Sequence, residues 1–92
     1  MQTAKHLSQN ANPAHDFLSI VMRALQKVRR KVEIPDEIQD ARTLLDAMPL
    51  ATSEYSVALN RLNNTARYLA SREFGAARWE LSMLQNQIRN QE

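Results

Sequence analysis

Apolar residues recur at steps of three and four along most of this chain, and three prolines divide the pattern into segments. Such steps place side chains on one face of an α-helix, so each segment predicts an amphipathic helix. Proline is tolerated only in the first turn of a helix, so Pro13, Pro35 and Pro49 mark boundaries. A single glycine, Gly75, leaves few positions suited to positive-φ turns. The pattern predicts an all-α fold, a small bundle of three to four helices packed as antiparallel hairpins.

The first predicted helix runs from about Pro13 to Val32, with Asn12 as its N-cap and Asp16 in its first turn. Its apolar side chains cover an arc of about 200°. They are Phe17, Leu18, Ile20, Val21, Met22, Ala24, Leu25, Val28 and Val32. A helix on one neighbour needs only about 100°, so this one should contact two helices or a partner. Residues 1–12 lack an apolar period, and we expect a flexible arm before a single helical domain at 13–92.

The second predicted helix begins at Pro35 and ends before Pro49. It has an ordinary buried stripe, made of Ile38, Ala41, Leu44, Leu45 and Met48. A short link around Glu33–Ile34 predicts that it packs antiparallel to the first helix. Thr52 or Ser53 is the expected cap of the third helix.

Two apolar stripes follow, and they are out of phase by about 60° if a single helix carries both. The first is Tyr55, Leu59, Leu62, Ala66 and Leu69, and the second is Phe74, Ala77, Leu81, Leu84 and Ile88. Either one long C-terminal helix slips its register near residues 70–73, or the chain turns at Ala70-Ser71-Arg72. We favour the turn, because an unpaired helix of roughly 40 residues would be long for so small a domain.

The sequence around this turn bears a partial resemblance to a known corner. Tyr68, the run Arg72–Ala77 and Leu81 resemble the inter-helix corner of a tetratricopeptide hairpin, where aromatic and small residues flank the turn. The resemblance covers about residues 59–84 and does not repeat, whereas such arrays need about three units. It implies a helical hairpin and no family membership.

Composition argues against several kinds of chemistry in this chain of 92 residues. There is no cysteine for a disulfide or a thiolate zinc site, and no glycine-rich phosphate loop. His6 and His15 do not have the spacing of a metal pair, and Glu37, Asp40 and Asp46 are expected to form a solvated acidic face. No apolar run approaches the roughly 18 residues of a membrane span. We therefore expect a cytoplasmic protein that is not an enzyme and has no cofactor.

Opposite charges occupy consecutive segments of the chain. Residues 1–32 carry six cations and one carboxylate, and residues 33–54 carry six carboxylates and one cation. The simplest expectation is that the second helix lays Asp36, Asp40 and Asp46 beside the basic face of the first. The alternative is that this basic face binds phosphates of nucleic acid or of an anionic membrane surface. Its residues are Arg23, Lys27, Arg29, Arg30 and Lys31.

The last segment has a second apolar set opposite its core stripe, made of Ala76, Trp79 and Met83. The segment before it has a weaker counterpart, made of Val57, Arg61, Asn64 and Tyr68. Either Trp79 closes the core of the domain, or this face meets another chain, since Trp, Tyr, Met and Arg are enriched at interfaces. We favour the second interpretation. It predicts a protein-interaction or regulatory module that docks helix to helix and self-associates, with Trp79 and Met83 as anchors. The alternative function is a nucleic-acid-binding regulator.

Overall fold

The computed structural model describes residues 12–91 and places four α-helices and no strand in them. The helices are α1 (Pro13–Arg29), α2 (Pro35–Ala47), α3 (Thr52–Ala70) and α4 (Phe74–Arg89). The predicted all-α class and small helical bundle are confirmed. The N-terminal arm expected at residues 1–12 lies outside the described residues except for Asn12, which directly precedes α1.

Each helix packs against two others, and the four close a ring in chain order. The contacts join α1 to α2, α2 to α3, α3 to α4, and α4 back to α1. Short connections make the first three pairs antiparallel. A cleft lined by Val28 and Phe74 places the end of α1 beside the start of α4, so this pair is antiparallel too. The topology is therefore an up-down-up-down bundle.

The core is a continuous apolar layer to which every helix contributes. Its fully buried large side chains are Phe17, Val21, Val28, Ile34, Leu45, Leu62, Leu81, Leu84 and Ile88. On α4 the buried residues match the predicted stripe with two exceptions: Phe74 is half-buried, and Glu80, outside the stripe, is buried. On α3 the small Ala58 and the polar Thr65 are also buried, and the Thr65 hydroxyl donates to the carbonyl of Arg61 at 2.8 Å. The predicted stripe of α3 is thus only partly correct, because Tyr55, Leu59 and Ala66 are half-buried while Ala58 and Thr65 lie in the core.

The wide apolar arc predicted for the first helix is only partly correct. α1 does pack against two helices, α2 and α4, as the arc predicts. However, Met22 is 48 % exposed and Val32 is 43 % exposed. Met22 lies on the outer side of α1, and Val32 lies beyond the end of that helix. The apolar surface needed for two neighbours is thus narrower than the predicted arc.

α1 ends at Arg29 and not at Val32, because a Schellman motif turns the chain there. Lys31 adopts a left-handed conformation with φ of 60°. The Val32 N–H donates to the Lys27 carbonyl at 2.9 Å, and the Lys31 N–H donates to the Val28 carbonyl at 2.9 Å. Together with the Arg30 N–H, which donates to the Lys27 carbonyl at 3.0 Å, these two bonds satisfy the carbonyls at the helix end. The helix stops although its apolar spacing continues.

The same motif separates α3 from α4 and confirms the predicted turn. Arg72 is left-handed with φ of 59°. Its N–H donates to the Leu69 carbonyl at 3.0 Å, and the Glu73 N–H donates to the Tyr68 carbonyl at 2.8 Å. Both corners therefore use a positive-φ residue, as many helix ends do, but a cation occupies the position where glycine is usual. The scarcity of glycine did not prevent these turns.

The helix starts agree with the sequence in one case and differ in another. The Asn12 side chain accepts from the His15 N–H at 3.1 Å, which confirms it as the N-cap of α1. The cap of α3 is Ala51, so the predicted capping by Thr52 or Ser53 is wrong. At this end the Glu54 carboxylate accepts from the Ala51 N–H at 3.2 Å instead. None of the four helices within residues 12–91 is both long enough and apolar enough to cross a membrane.

Candidate functional site

The α3–α4 hairpin brings the predicted partner-binding residues onto one outer surface. Two contacts set the register of the pair: Arg61 lies against Trp79, and the Gln87 amide donates to the Glu54 carbonyl at 2.8 Å. This register places Val57 across from Met83 and Asn64 across from Ala76. We call the resulting surface the hairpin face; its residues are Val57, Asn60, Arg61, Asn64, Tyr68, Ala76, Trp79, Met83 and Asn86.

Trp79 stands out on the hairpin face because it is the largest apolar side chain there and 57 % of it is exposed. It therefore does not close the core of the domain. Val57, one turn before Arg61, is 45 % exposed. Met83 and Ala76 are half-buried beside them. The tryptophan ring is thus presented outward between partly buried apolar neighbours.

A polar network fixes the base of the hairpin face. Glu80 is 5 % exposed, and its carboxylate accepts from Arg61 Nη1 at 3.1 Å and from Asn64 Nδ2 at 3.3 Å. Asn64 Oδ1 in turn accepts from Arg67 at 2.7 Å. The buried carboxylate is therefore both paired and hydrogen-bonded, as a buried charge requires. It also neutralises the cation at the centre of the face.

Arg61 contacts both the network and the tryptophan. Its guanidinium carbon lies 5.5 Å from the centroid of the Trp79 ring, which is the geometry of a cation–π contact. Glu80 binds Nη1 of the same guanidinium, so the cation beside the ring is itself anchored. Trp79 is therefore exposed, with an anchored cation on one side of its ring.

The five residues of the predicted basic face fall into two groups in the structure: two contact Glu37, and three are exposed at the end of the bundle. Lys27 Nζ donates to Glu37 Oε2 at 2.6 Å, and Arg23 Nε lies 3.8 Å from the same oxygen. Glu37 is 6 % exposed, and the Lys27 hydrogen bond holds the pKa of its carboxyl below the ordinary value against the opposing effect of burial. Arg23 and Lys27 are thus engaged within the domain, whereas Arg29, Arg30 and Lys31 are exposed at the end of the bundle.

The carboxylate that pairs with α1 differs from those expected. Glu37 is the partner, and Asp36, Asp40 and Asp46 all lie exposed outside that contact. Asp46 instead accepts a hydrogen bond from the Tyr55 hydroxyl at 2.5 Å, which raises the pKa of Tyr55 above its ordinary value. The expected solvated acidic face is therefore wrong at Glu37, because α2 is rotated so that this residue faces α1.

Neither histidines nor carboxylates converge into a metal site within residues 12–91. A groove of about 350 Å³ lies between α2 and α3. Its lining is mostly aliphatic, including Ile34, Ile38 and Leu69, with Glu33 and Arg42 as its charged members. This groove holds no group with the surroundings of a general acid, a base or a nucleophile.

Sequence reasoning found the exposed Val57 and Trp79 of the hairpin face, but it missed the exposed Asn60 and Asn86, and it missed Glu80 with the network under the face. Glu80 sits next to the apolar stripe of α4, beside Leu81, and nothing in its spacing separates it from a solvated acid. The available signal was Arg61 and Asn64 on the preceding helix, which lie three residues apart and so share a face. That signal becomes visible only when the hairpin register is known. Comparison of this chain with family models, curated proteins and solved structures finds no match in any of the three.

Proposed function

We propose that this domain is a protein-interaction module that self-associates through the hairpin face, with a second copy of the chain as the partner. The observation that carries the proposal is the 57 % exposed Trp79, oriented by Arg61. Binding energy at interfaces concentrates in a few aromatic and arginine residues near the centre. Here one residue of each type is in contact at the centre of a partly apolar surface.

The charge of the hairpin face favours a second copy over a charged partner. Arg61 is neutralised by Glu80, so two copies can meet without bringing these charges into repulsion. Among the nine residues that define the hairpin face, Arg61 is the only charged one; the exposed Arg78 and Arg89 of α4 lie outside it. A face of this kind offers a highly charged ligand little attraction.

The polar rim of the face supports pairing with itself. Asn60 and Asn86 are exposed and lie on either side of the apolar centre. An amide side chain both donates and accepts, so identical rims can hydrogen-bond across a twofold axis, where the same patch meets itself. The geometry supports two hairpins packing face to face, with Trp79 and Met83 of each copy buried against the other.

The orientation of Trp79 lowers the cost of docking. A side chain that is ordered before binding loses less rotamer entropy on association than a mobile one. Arg61, which is bound to Glu80, contacts the Trp79 ring and restricts its motion, so the partner need not do so. The same logic makes Arg61 a contributor to association even though it is itself three-quarters covered in the single chain.

Sedimentation velocity on the protein at about 1 to 100 µM tests the proposal. We expect the mass to rise from the 10.6 kDa of the single chain toward twice that value. The double substitution Trp79→Ala with Met83→Ala should weaken association by about 2 kcal/mol or more, roughly 30-fold in Kd, with little loss of helicity by circular dichroism.

Two controls separate an interface role from a structural one. Met22→Ala removes an exposed methionine from α1, outside the hairpin face, and should leave association unchanged. Leu81→Ala removes a core side chain and should cost about 2–5 kcal/mol of folding free energy. A wild-type protein that keeps its single-chain mass at about 100 µM would exclude self-association. Loss of helicity in the Trp79 variant equal to that in the Leu81 variant would exclude an interface role for the tryptophan.

A further inference from the structure

A second surface, separate from the hairpin face, collects cations at the end of the bundle where α1 ends and α4 begins. A cleft of about 170 Å³ opens between these two helix ends. Its lining residues are Val28, Arg29, Lys31, Phe74, Gly75 and Arg78. Three of the six are cations and none is a carboxylate. The sequence analysis grouped Arg29 and Lys31 with the other cations of the first helix. It gave no indication that Arg78 of α4 lies beside them.

The cations of the cleft, like Arg30, Arg42, Arg67, Arg72 and Arg89, take no part in an ion pair within residues 12–91. Within residues 12–91 the ion pairs involve Arg23, Lys27 and Arg61 only. Arg29, Lys31 and Arg78 are all exposed. Three like charges held around one cleft repel one another, and a bound anion would relieve that repulsion. The nearest acidic residue in sequence, Glu73, is exposed and does not line the cleft.

The backbone around the cleft is well ordered. Val28 is 1 % exposed and belongs to the core, and the Schellman motif fixes Lys31 directly after α1. Phe74 is half-buried on the facing helix, and the Arg72 guanidinium covers its ring at 5.2 Å. The cations thus project from fixed positions on two helix ends, although their side chains reach into solvent.

We infer that this cleft binds a phosphate group of a nucleic-acid backbone. Guanidinium groups match phosphate oxygens in pairs, and the cleft brings two of them together with an ammonium group. Exposed Arg30 and Arg72 adjoin the cleft in sequence and extend the positive surface to neighbouring phosphates, which favours a polyanion over a single small anion. Phe74 is covered by Arg72 and so does not offer a free ring for stacking a base. Contacts with phosphates alone carry no base information, so this binding is independent of base sequence.

Fluorescence anisotropy with a labelled 20-base-pair DNA duplex tests this inference on the full chain. We expect binding at 50 mM salt that weakens steeply by 200 mM, because neutralised phosphates release counterions. Arg29→Glu with Arg78→Glu should weaken binding at least tenfold. Arg78→Ala alone should reduce the slope of log affinity against log salt by about one, the value for one lost phosphate contact. These residues are exposed, and circular dichroism of each variant checks that the fold is retained.

A matched control lies on the same helix at the opposite end of the bundle. Arg89 is exposed in the last turn of α4 and is distant from the cleft, so Arg89→Glu should leave affinity within about twofold of the wild type. Lys31→Gln gives a second cleft variant, and it should weaken binding more than Arg89→Glu does. An undetectable interaction with the duplex at 50 mM salt would overturn the inference. So would an equal loss of affinity in Arg89→Glu, or binding to phosphatidylserine vesicles with none to the duplex.

Discussion

The buried carboxylate of Glu37 lies next to two cations of the neighbouring helix α1. Lys27 is 2.6 Å away and Arg23 is 3.8 Å away, while the carboxylate side chain is only 7 % exposed. Burial alone would raise the pKa of this group, but the Lys27 hydrogen bond outweighs it and the pKa is lowered. The charged form of Glu37 is therefore favoured by folding, and its contribution to stability depends on pH.

Replacing Glu37 with glutamine should make the free energy of unfolding depend less steeply on pH below about pH 5. Since the folded pKa lies below the unfolded value of about 4.5, the contribution of this carboxylate is fully present above that pH and is lost as pH falls through the folded pKa. We expect Glu37→Gln to lower the free energy of unfolding by about 1 kcal/mol at pH 7, since Lys27 is partly exposed and keeps access to water. Urea titrations at pH 7, 5 and 3 measure both effects.

The control for this prediction is Asp40→Asn on the same helix. Asp40 is exposed and takes no part in the ion pairs of residues 12–91, so its substitution should leave the profile nearly unchanged. If Glu37→Gln lost stability between pH 5 and pH 3 as steeply as the wild type, other carboxylates would be responsible for the acid sensitivity.

At the scale of the elements, two of the three corners between the helices are built on a cation in a left-handed conformation. Lys31 follows α1 and Arg72 follows α3, with φ of 60° and 59°. A side chain with a Cβ atom is strained in this region by about 1–2 kcal/mol relative to glycine. The corners persist because the Schellman hydrogen bonds and the packing of the flanking helices outweigh this local cost.

Lys31→Gly should therefore stabilise the fold. Relief of the strain exceeds the extra backbone entropy that glycine adds to the unfolded chain, and we expect a gain of about 0.5–1 kcal/mol. Thermal unfolding followed by circular dichroism measures it. Lys31→Ala is the matched control, because it removes the same charge and keeps the Cβ atom, so it should give no such gain. Equal stabilisation by both substitutions would mean that charge repulsion, and not backbone strain, is relieved.

At the scale of the whole molecule, the bundle separates two surfaces of different character. The hairpin face has an apolar centre and a neutralised cation, and the cleft at the bundle end has three cations and no carboxylate lining. Apolar burial responds weakly to salt, whereas contacts with phosphates respond strongly. The two proposed activities should therefore be separable both by ionic strength and by mutation.

Raising salt from 50 to 500 mM should change the Kd of self-association by less than about threefold while it abolishes duplex binding. Arg29→Glu with Arg78→Glu should leave the sedimentation behaviour of the wild type intact, because neither residue lies on the hairpin face. Analytical ultracentrifugation and anisotropy at the two salt concentrations check this. Self-association that disappeared at 500 mM salt would show that ionic contacts, not Trp79, hold the copies together.

The sequence alone determined the helices and most of the core, because those features depend on residues close together in the chain. Prolines at Pro13 and Pro35 open α1 and α2, Asn12 caps α1, and the stripe ending at Ile88 faces the core. It also singled out Trp79 as the large apolar residue opposite that stripe. Helical periodicity and the stereochemistry of proline carry all of this information locally.

Only the tertiary structure decided which charges meet. The orientation of α2 about its own axis puts Glu37, and not Asp40, against α1, and the register of the α3–α4 hairpin puts Glu80 under Arg61. The closure of the ring brings Arg78 beside Arg29, residues that are far apart in the chain. Rotation, register and closure are set by the packing of whole side-chain surfaces, so they do not follow from the spacing of residues along any one helix.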